Sequence, residues 1–144
     1  ADEMKLFSGV LDRIGMLSAQ AWRAARLVVD TGMHAKGWTR DQAVDYMRKN
    51  TAVPENTIQT EVDRYISWPG QALAYKLGEL KIKELRKRAE AALGTRFDVR
   101  QFHDVVLGSG SVPLRLLEGN LDAWNAKQRS PGSQPAVPQP SALR

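Results

Sequence analysis

Apolar positions recur every three to four residues along the chain, and no segment alternates with period two. That pattern predicts helices and no strands. Ser8 is placed to cap a first helix from about Gly9 to Ala35, stopped by Gly37. Thr39, with Asp41 and Gln42 in the first turn, caps a second helix reaching about Asn50. Pro54 opens a third over PENTIQTEVDRYI, and Pro69 opens a long fourth that stops at Gly94. Asp98 caps VRQFHDVVL, ended by Gly108, and Ser111 with Pro113 begins a last helix through Trp124. Six helices over residues 1–129 predict an all-α fold, an orthogonal or bundle-like array. Residues 130–144, SPGSQPAVPQPSALR, carry four of the seven prolines and almost no large apolar side chain, so an extended or disordered tail is expected.

Two helices break the pattern. The first is apolar or small nearly all round, through Ile14, Leu17, Ala21, Trp22, Ala25, Val28 and Val29, which predicts burial. Its polar residues Arg23, Arg26, Asp30 and His34 fall on one stripe of about 80°. Arg26 and Asp30 are one turn apart and can pair, and Asp30 can orient His34. A solvated stripe with a histidine favoured by the helix C-terminus explains the same pattern. In the fourth helix Gln71 and Tyr75 share a face with Ile82, Leu85 and Ala89. The expectation is a buried N-terminal half with inward polar groups, and a C-terminal half that emerges. Buried polar groups need partners, so Tyr75 either bonds a backbone carbonyl in the core or lines a cleft. Gly70 and Gly78 permit close approach of a backbone or a ligand.

A length of 144 residues suffices for one domain with a real core, and 42% apolar with 26% charged residues is ordinary for a globular chain. No apolar run is long enough to span a membrane. The chain opens on ADEMKLF without an initiator Met, as a processed product or fragment would. The absence of cysteine excludes disulfides, thiolate catalysis and Cys-based zinc sites. The net charge of +5 is concentrated in residues 76–100. Lys81, Lys83, Arg86, Lys87 and Arg88 form a candidate nucleic-acid patch. The interleaved Glu79, Glu84 and Glu90, and the lack of an aromatic residue to stack a base, argue against it.

HExxH, phosphate loops, G-x-S-x-G and EF-hands are absent. The two histidines sit on different helices, and His103, beside Asp104, reads as a structural residue of a short amphipathic helix.

The blocks AWRAARLVVDTGMHAKGWTRDQAVDYM, EVDRYISWPGQALAYKLGELKIKELRKRAEAALG and FDVRQFHDVVLGSGSVPLRLLE resemble the C-terminal region of the bacterial DUF885 proteins, over about residues 1–125. DTGMHAKGW and WPGQALAYKLG are the specific parts. That family resembles helical zinc metallopeptidases of the thimet oligopeptidase, carboxypeptidase Taq and angiotensin-converting enzyme type. In those proteins an HExxH-type helix binds zinc and a later glutamate completes the site. The DUF885 motif resembles HE-x-x-PGHH, followed by a segment like EGWALYAE, and ADEMKLF resembles what comes next.

The resemblance therefore implies a C-terminal part of a larger zincin-like fold. Zinc would be held by an N-terminal half outside this chain, the substrate would be a peptide, and the chain alone would be inactive. It implies a bacterial, exported or periplasmic setting. It assigns His34 and Tyr75 to oxyanion stabilisation, with Gln71 beside them. Arg26 and Asp30 would hold His34 or contact a substrate carboxylate, and Arg23, like Gln71, would bind substrate. An apolar face that fits the missing half would also allow a homodimer. The alternative is a stand-alone helical interaction module with a closed core and no catalysis.

Overall fold

The computed structural model describes Met4 and residues 6–130. The tail expected at 130–144 lies outside the described residues, except Ser130. Among the described residues the chain is all helix, with six α-helices and two 3₁₀ turns. They are α1 (Val10–Ala35), α2 (Arg40–Asn50), α3 (Glu55–Ser67), α4 (Ala74–Leu93), α5 (Val99–Gly108) and α6 (Leu114–Arg129). None of these helices is long and apolar enough to cross a membrane.

Most boundaries follow the capping logic. Thr39 accepts the Gln42 N–H at 3.2 Å, and Gln42 Oε1 accepts the Thr39 N–H at 2.8 Å. Asp98 Oδ1 accepts the Arg100 N–H at 2.8 Å. Gly37 has φ +69°, and past it the Trp38 N–H turns back to the Gly32 carbonyl at 2.9 Å. Two starts differ from expectation. Gly9, not Ser8, is the N-cap of α1, with Asp12 accepting the Gly9 N–H at 3.2 Å. Pro69 does not open α4. Gly70 follows at φ +81°, then a 3₁₀ turn over Gln71–Leu73, and α4 proper begins at Ala74.

The chain divides into two compact units, Ala1–Glu79 and Leu80–Arg144. The first packs α1, α2, α3 and the 3₁₀ turn around Ala25, Val29, Ala43, Val44, Met47, Ile58, Val62, Tyr65 and Ala72. Trp38 lies so close to Gly32 that an added Cβ would meet its ring at 2.5 Å, so this glycine is dictated by packing. The second unit buries Leu85 and Ala89 of α4 against Phe102 of α5 and Leu117 and Leu121 of α6, with Phe97 and Trp124 at its margin.

Both unusual helices distribute their burial differently from expectation. The fully buried residues of α1 all lie between Ala25 and Gly32, while Val10, Leu11, Ile14 and Leu17 are exposed. Length accounts for this: 26 residues of α1 rise about 39 Å, and α2 and α3 are roughly half as long. In α4 the order is reversed. Tyr75, Leu77 and Leu80 are exposed, and Leu85, Ala89 and Leu93 are buried, because the second unit supplies the apolar partners.

Candidate functional site

The first unit contains a polar and aromatic cluster built by α1, α3 and the start of α4. Its centre is Tyr65, buried on α3. The Tyr65 hydroxyl accepts Arg26 Nε–H at 2.8 Å and Trp22 Nε1–H at 3.1 Å, and donates to Glu61 Oε2 at 2.8 Å. Its hydrogen-bonding capacity is full. Arg26 Nη2 also reaches Glu61 Oε2 at 2.9 Å. Arg64 grips the same carboxylate with Nε and Nη2, at 3.2 and 2.9 Å. The Arg26 guanidinium carbon lies 4.4 Å from the Trp22 ring centroid, 5.1 Å from that of Tyr75 and 5.6 Å from that of Tyr65. A buried arginine needs a counter-charge, and here aromatic faces supplement it.

Burial pushes the Glu61 carboxyl up, but hydrogen bonds from Arg64, Tyr65 and Arg26 outweigh that and hold it at about 2. Glu61 is therefore an anion at neutral pH. The Tyr65 phenol is raised, chiefly by burial, with its bond to Glu61 adding to the effect. It stays protonated and keeps donating.

The cluster extends outward through Gln71. Arg64 Nη1 donates to Gln71 Oε1 at 2.7 Å, and Gln71 Nε2 donates to the Tyr75 hydroxyl at 3.1 Å. A guanidinium can only donate, so it fixes which end of the amide is oxygen. The NH₂ end must then face Tyr75. The Tyr75 oxygen serves as acceptor for Gln71, which leaves its own proton for another acceptor. Tyr75 is 49% exposed.

The sequence-predicted residues are only partly brought together. Arg26, Gln71 and Tyr75 belong to the cluster. Asp30 pairs with neither Arg26 nor His34 among the described residues. Its carboxylate, 2% exposed, accepts the Gly70 N–H at 3.2 and 3.1 Å on its two oxygens. It thus pins the turn from which Gln71 and Tyr75 start. His34 is exposed on α1, with Nε2 3.0 Å from the Tyr65 carbonyl. A carbonyl only accepts, so Nε2 carries the hydrogen. Arg23 is half-buried on α1 and has no hydrogen bond or ion pair among the described residues. Trp22, Glu61, Arg64 and Tyr65 complete the cluster and were not among the sequence-predicted site residues. The signal was present in EVDRY, where Arg64 and Tyr65 follow Glu61 by three and four residues, on one helix face.

Among the described residues no three His, Cys, Asp or Glu side chains come together so as to hold a metal ion. In the second unit Lys81 pairs with Glu84 and Glu118, Arg86 with Glu90, and Arg88 with Glu118 and Asp122. These pairs reduce the cationic patch. His103 is exposed, its ring centroid 6.0 Å from that of Phe102.

No curated protein matches the chain. A solved structure described as "The crystal structure of the putative lipoprotein from Colwellia psychrerythraea" is similar, at 51% identity and a TM-score of 0.78. The match covers 80% of this chain and 20% of that chain, so this chain spans about one fifth of that protein's length. The family model "Bacterial protein of unknown function (DUF885)" matches residues 1–121, and the chain belongs to that family.

Proposed function

We propose that this chain is the substrate-facing C-terminal portion of a zinc-dependent, metallopeptidase-like hydrolase, with Tyr75 donating its hydroxyl proton to the oxyanion of a peptide under attack. The observation that carries this reading is the fixed amide of Gln71. Held by Arg64, it donates to Tyr75 and leaves an exposed O–H with its proton unspent. A donor oriented before the reaction needs no reorganisation as charge develops, and such a donor is worth about 3–4 kcal/mol.

The other residues take supporting roles in this proposal. Glu61 holds Arg64, Arg64 holds Gln71, and Asp30 fixes the Gly70 turn beneath them. Arg23 takes the role of meeting a substrate carboxylate, since Arg26 is committed to Glu61. His34 is the second candidate catalytic group. Nε2–H of His34 is engaged with the Tyr65 carbonyl, so the ring nitrogen left to meet a substrate is Nδ1. Zinc would polarise the scissile carbonyl and activate water. No set of three ligand side chains comes together among the described residues, so its ligands would lie on another stretch of polypeptide. The lipoprotein description of the relative supports an exported setting.

The test is peptide hydrolysis by the complete, zinc-loaded gene product. Tyr75→Phe should lower kcat about 100-fold, within a range of 10–1000-fold, with KM little changed. Unchanged turnover would remove Tyr75 from the chemistry.

A further inference from the structure

The helix α1 presents two apolar faces, and among the described residues only one is covered. At about 100° per residue, Trp22, Ala25, Val29 and Met33 share the face packed against α2 and α3. A second stripe runs Val10, Ile14, Leu17, Ala21, Ala24 and Val28, spaced alternately by four and three residues. All six fall within about 80° of arc. Val10 is 75% exposed, Ile14 55%, Leu17 61% and Val28 37%. Ala24 is exposed and Ala21 half-buried.

Spacing by four and three is the heptad repeat of helix-on-helix packing, with an interaxial angle of about +20°. Aliphatic side chains at the helix start and alanines at its middle make a tapered seam, on which a second helix approaches closely near Ala21 and Ala24. In proteins most helical stability comes from tertiary packing of an apolar face, and the first half of α1 has its large aliphatic side chains exposed. A polar face would serve if the stripe were meant for solvent.

We infer that this stripe seats an α-helix from the remainder of a longer family member, the four-fifths of chain that this region lacks relative to its solved relative. A second copy of this chain fits less well. Positions flanking a homotypic heptad seam usually carry complementary charges. Here they are Leu11, Ser18 and Ala25 on one side and Arg13, Gln20 and Leu27 on the other. Ala25 is already buried within the chain. The inference rests on the region being part of a longer protein, and is independent of peptidase chemistry.

The chain contains no cysteine, so single substitutions Ile14→Cys, Leu17→Cys and Ala24→Cys report directly on this face. Ala19→Cys, on the opposite side, is the reference. Reaction rates with a neutral maleimide are measured in the 144-residue chain and in the complete gene product, with other cysteines there changed to serine. In the complete product, positions 14, 17 and 24 should react at least about 10-fold more slowly than in the chain alone, with position 19 little changed. Equal rates in the two proteins would overturn the inference, as would protection that includes position 19 equally. Protection that appears in the isolated chain and grows with its concentration would assign the stripe to a second copy instead, and also overturn it. The readout is accessibility, so an inactive protein still decides it.

Discussion

Tyr65 is the residue on which the cluster depends most. Its hydroxyl satisfies Arg26 and Trp22 and is itself satisfied by Glu61. Tyr65→Phe removes the acceptor for both and leaves a buried guanidinium N–H unpaired, at a cost of about 1–3 kcal/mol. Urea denaturation should show that loss, whereas Tyr75→Phe, half-exposed, should shift stability by less than about 0.5 kcal/mol. An equal loss in both would mean that Tyr75 is structural. Gly70 is a second sensitive residue. A side chain there has open space around it, but its φ of +81° disfavours any Cβ. Gly70→Ala should cost about 1 kcal/mol through strain alone, read in the same denaturation. Glu61 gives a pH signature. Its folded carboxyl lies at about 2 against an ordinary 4.5. Because the folded value is the lower, its stabilisation is complete above about 4.5 and fades as pH falls toward 2. The stability gap between wild type and Glu61→Gln should be largest at neutral pH and shrink across that window. A gap constant from pH 7 to pH 2 would contradict the network.

At the scale of elements, the helices were legible because their ends are written in local chemistry. Thr39 with Gln42, Asp98, and Gly37 after α1 all act within one turn. Burial was less legible, because it depends on which elements lie across the way. Periodicity identified the Leu85 and Ala89 face of α4 but not that its partners are Phe102, Leu117 and Leu121. Likewise the polar stripe of α1 was visible, yet Arg26 found Glu61 on α3 instead of Asp30 on its own helix. A pairing across 35 residues of sequence leaves no trace in the spacing of either partner. The two separate cores carry a prediction. Leu85→Ala, at a 1% exposed position, should cost about 2–5 kcal/mol. Hydrogen exchange should then accelerate in α5 and α6 and leave α1–α3 near their original protection. Equal acceleration throughout would mean that the two units unfold together.

At the scale of the whole molecule, the chain spans about one fifth of the length of a similar solved protein. A polar ladder from Glu61 through Arg64 and Gln71 ends in an exposed tyrosine hydroxyl. An aliphatic stripe on α1 is exposed among the described residues. The shared helix face of Gln71 and Tyr75 and the all-round apolar first helix were legible in the sequence, but both patterns predicted burial, and Tyr75 and the start of α1 are exposed. The partners that complete either feature cannot be read from spacing within this sequence. The central claim is that Tyr75 complements developing negative charge, and a stable mimic of the tetrahedral intermediate tests it most directly. The dissociation constant of a phosphonate peptide should be measured on the complete, zinc-loaded gene product and its Tyr75→Phe variant. Binding about 100-fold weaker in the variant, with the affinity for the parent peptide little altered, is the predicted result. Equal phosphonate affinity in the two proteins would contradict it.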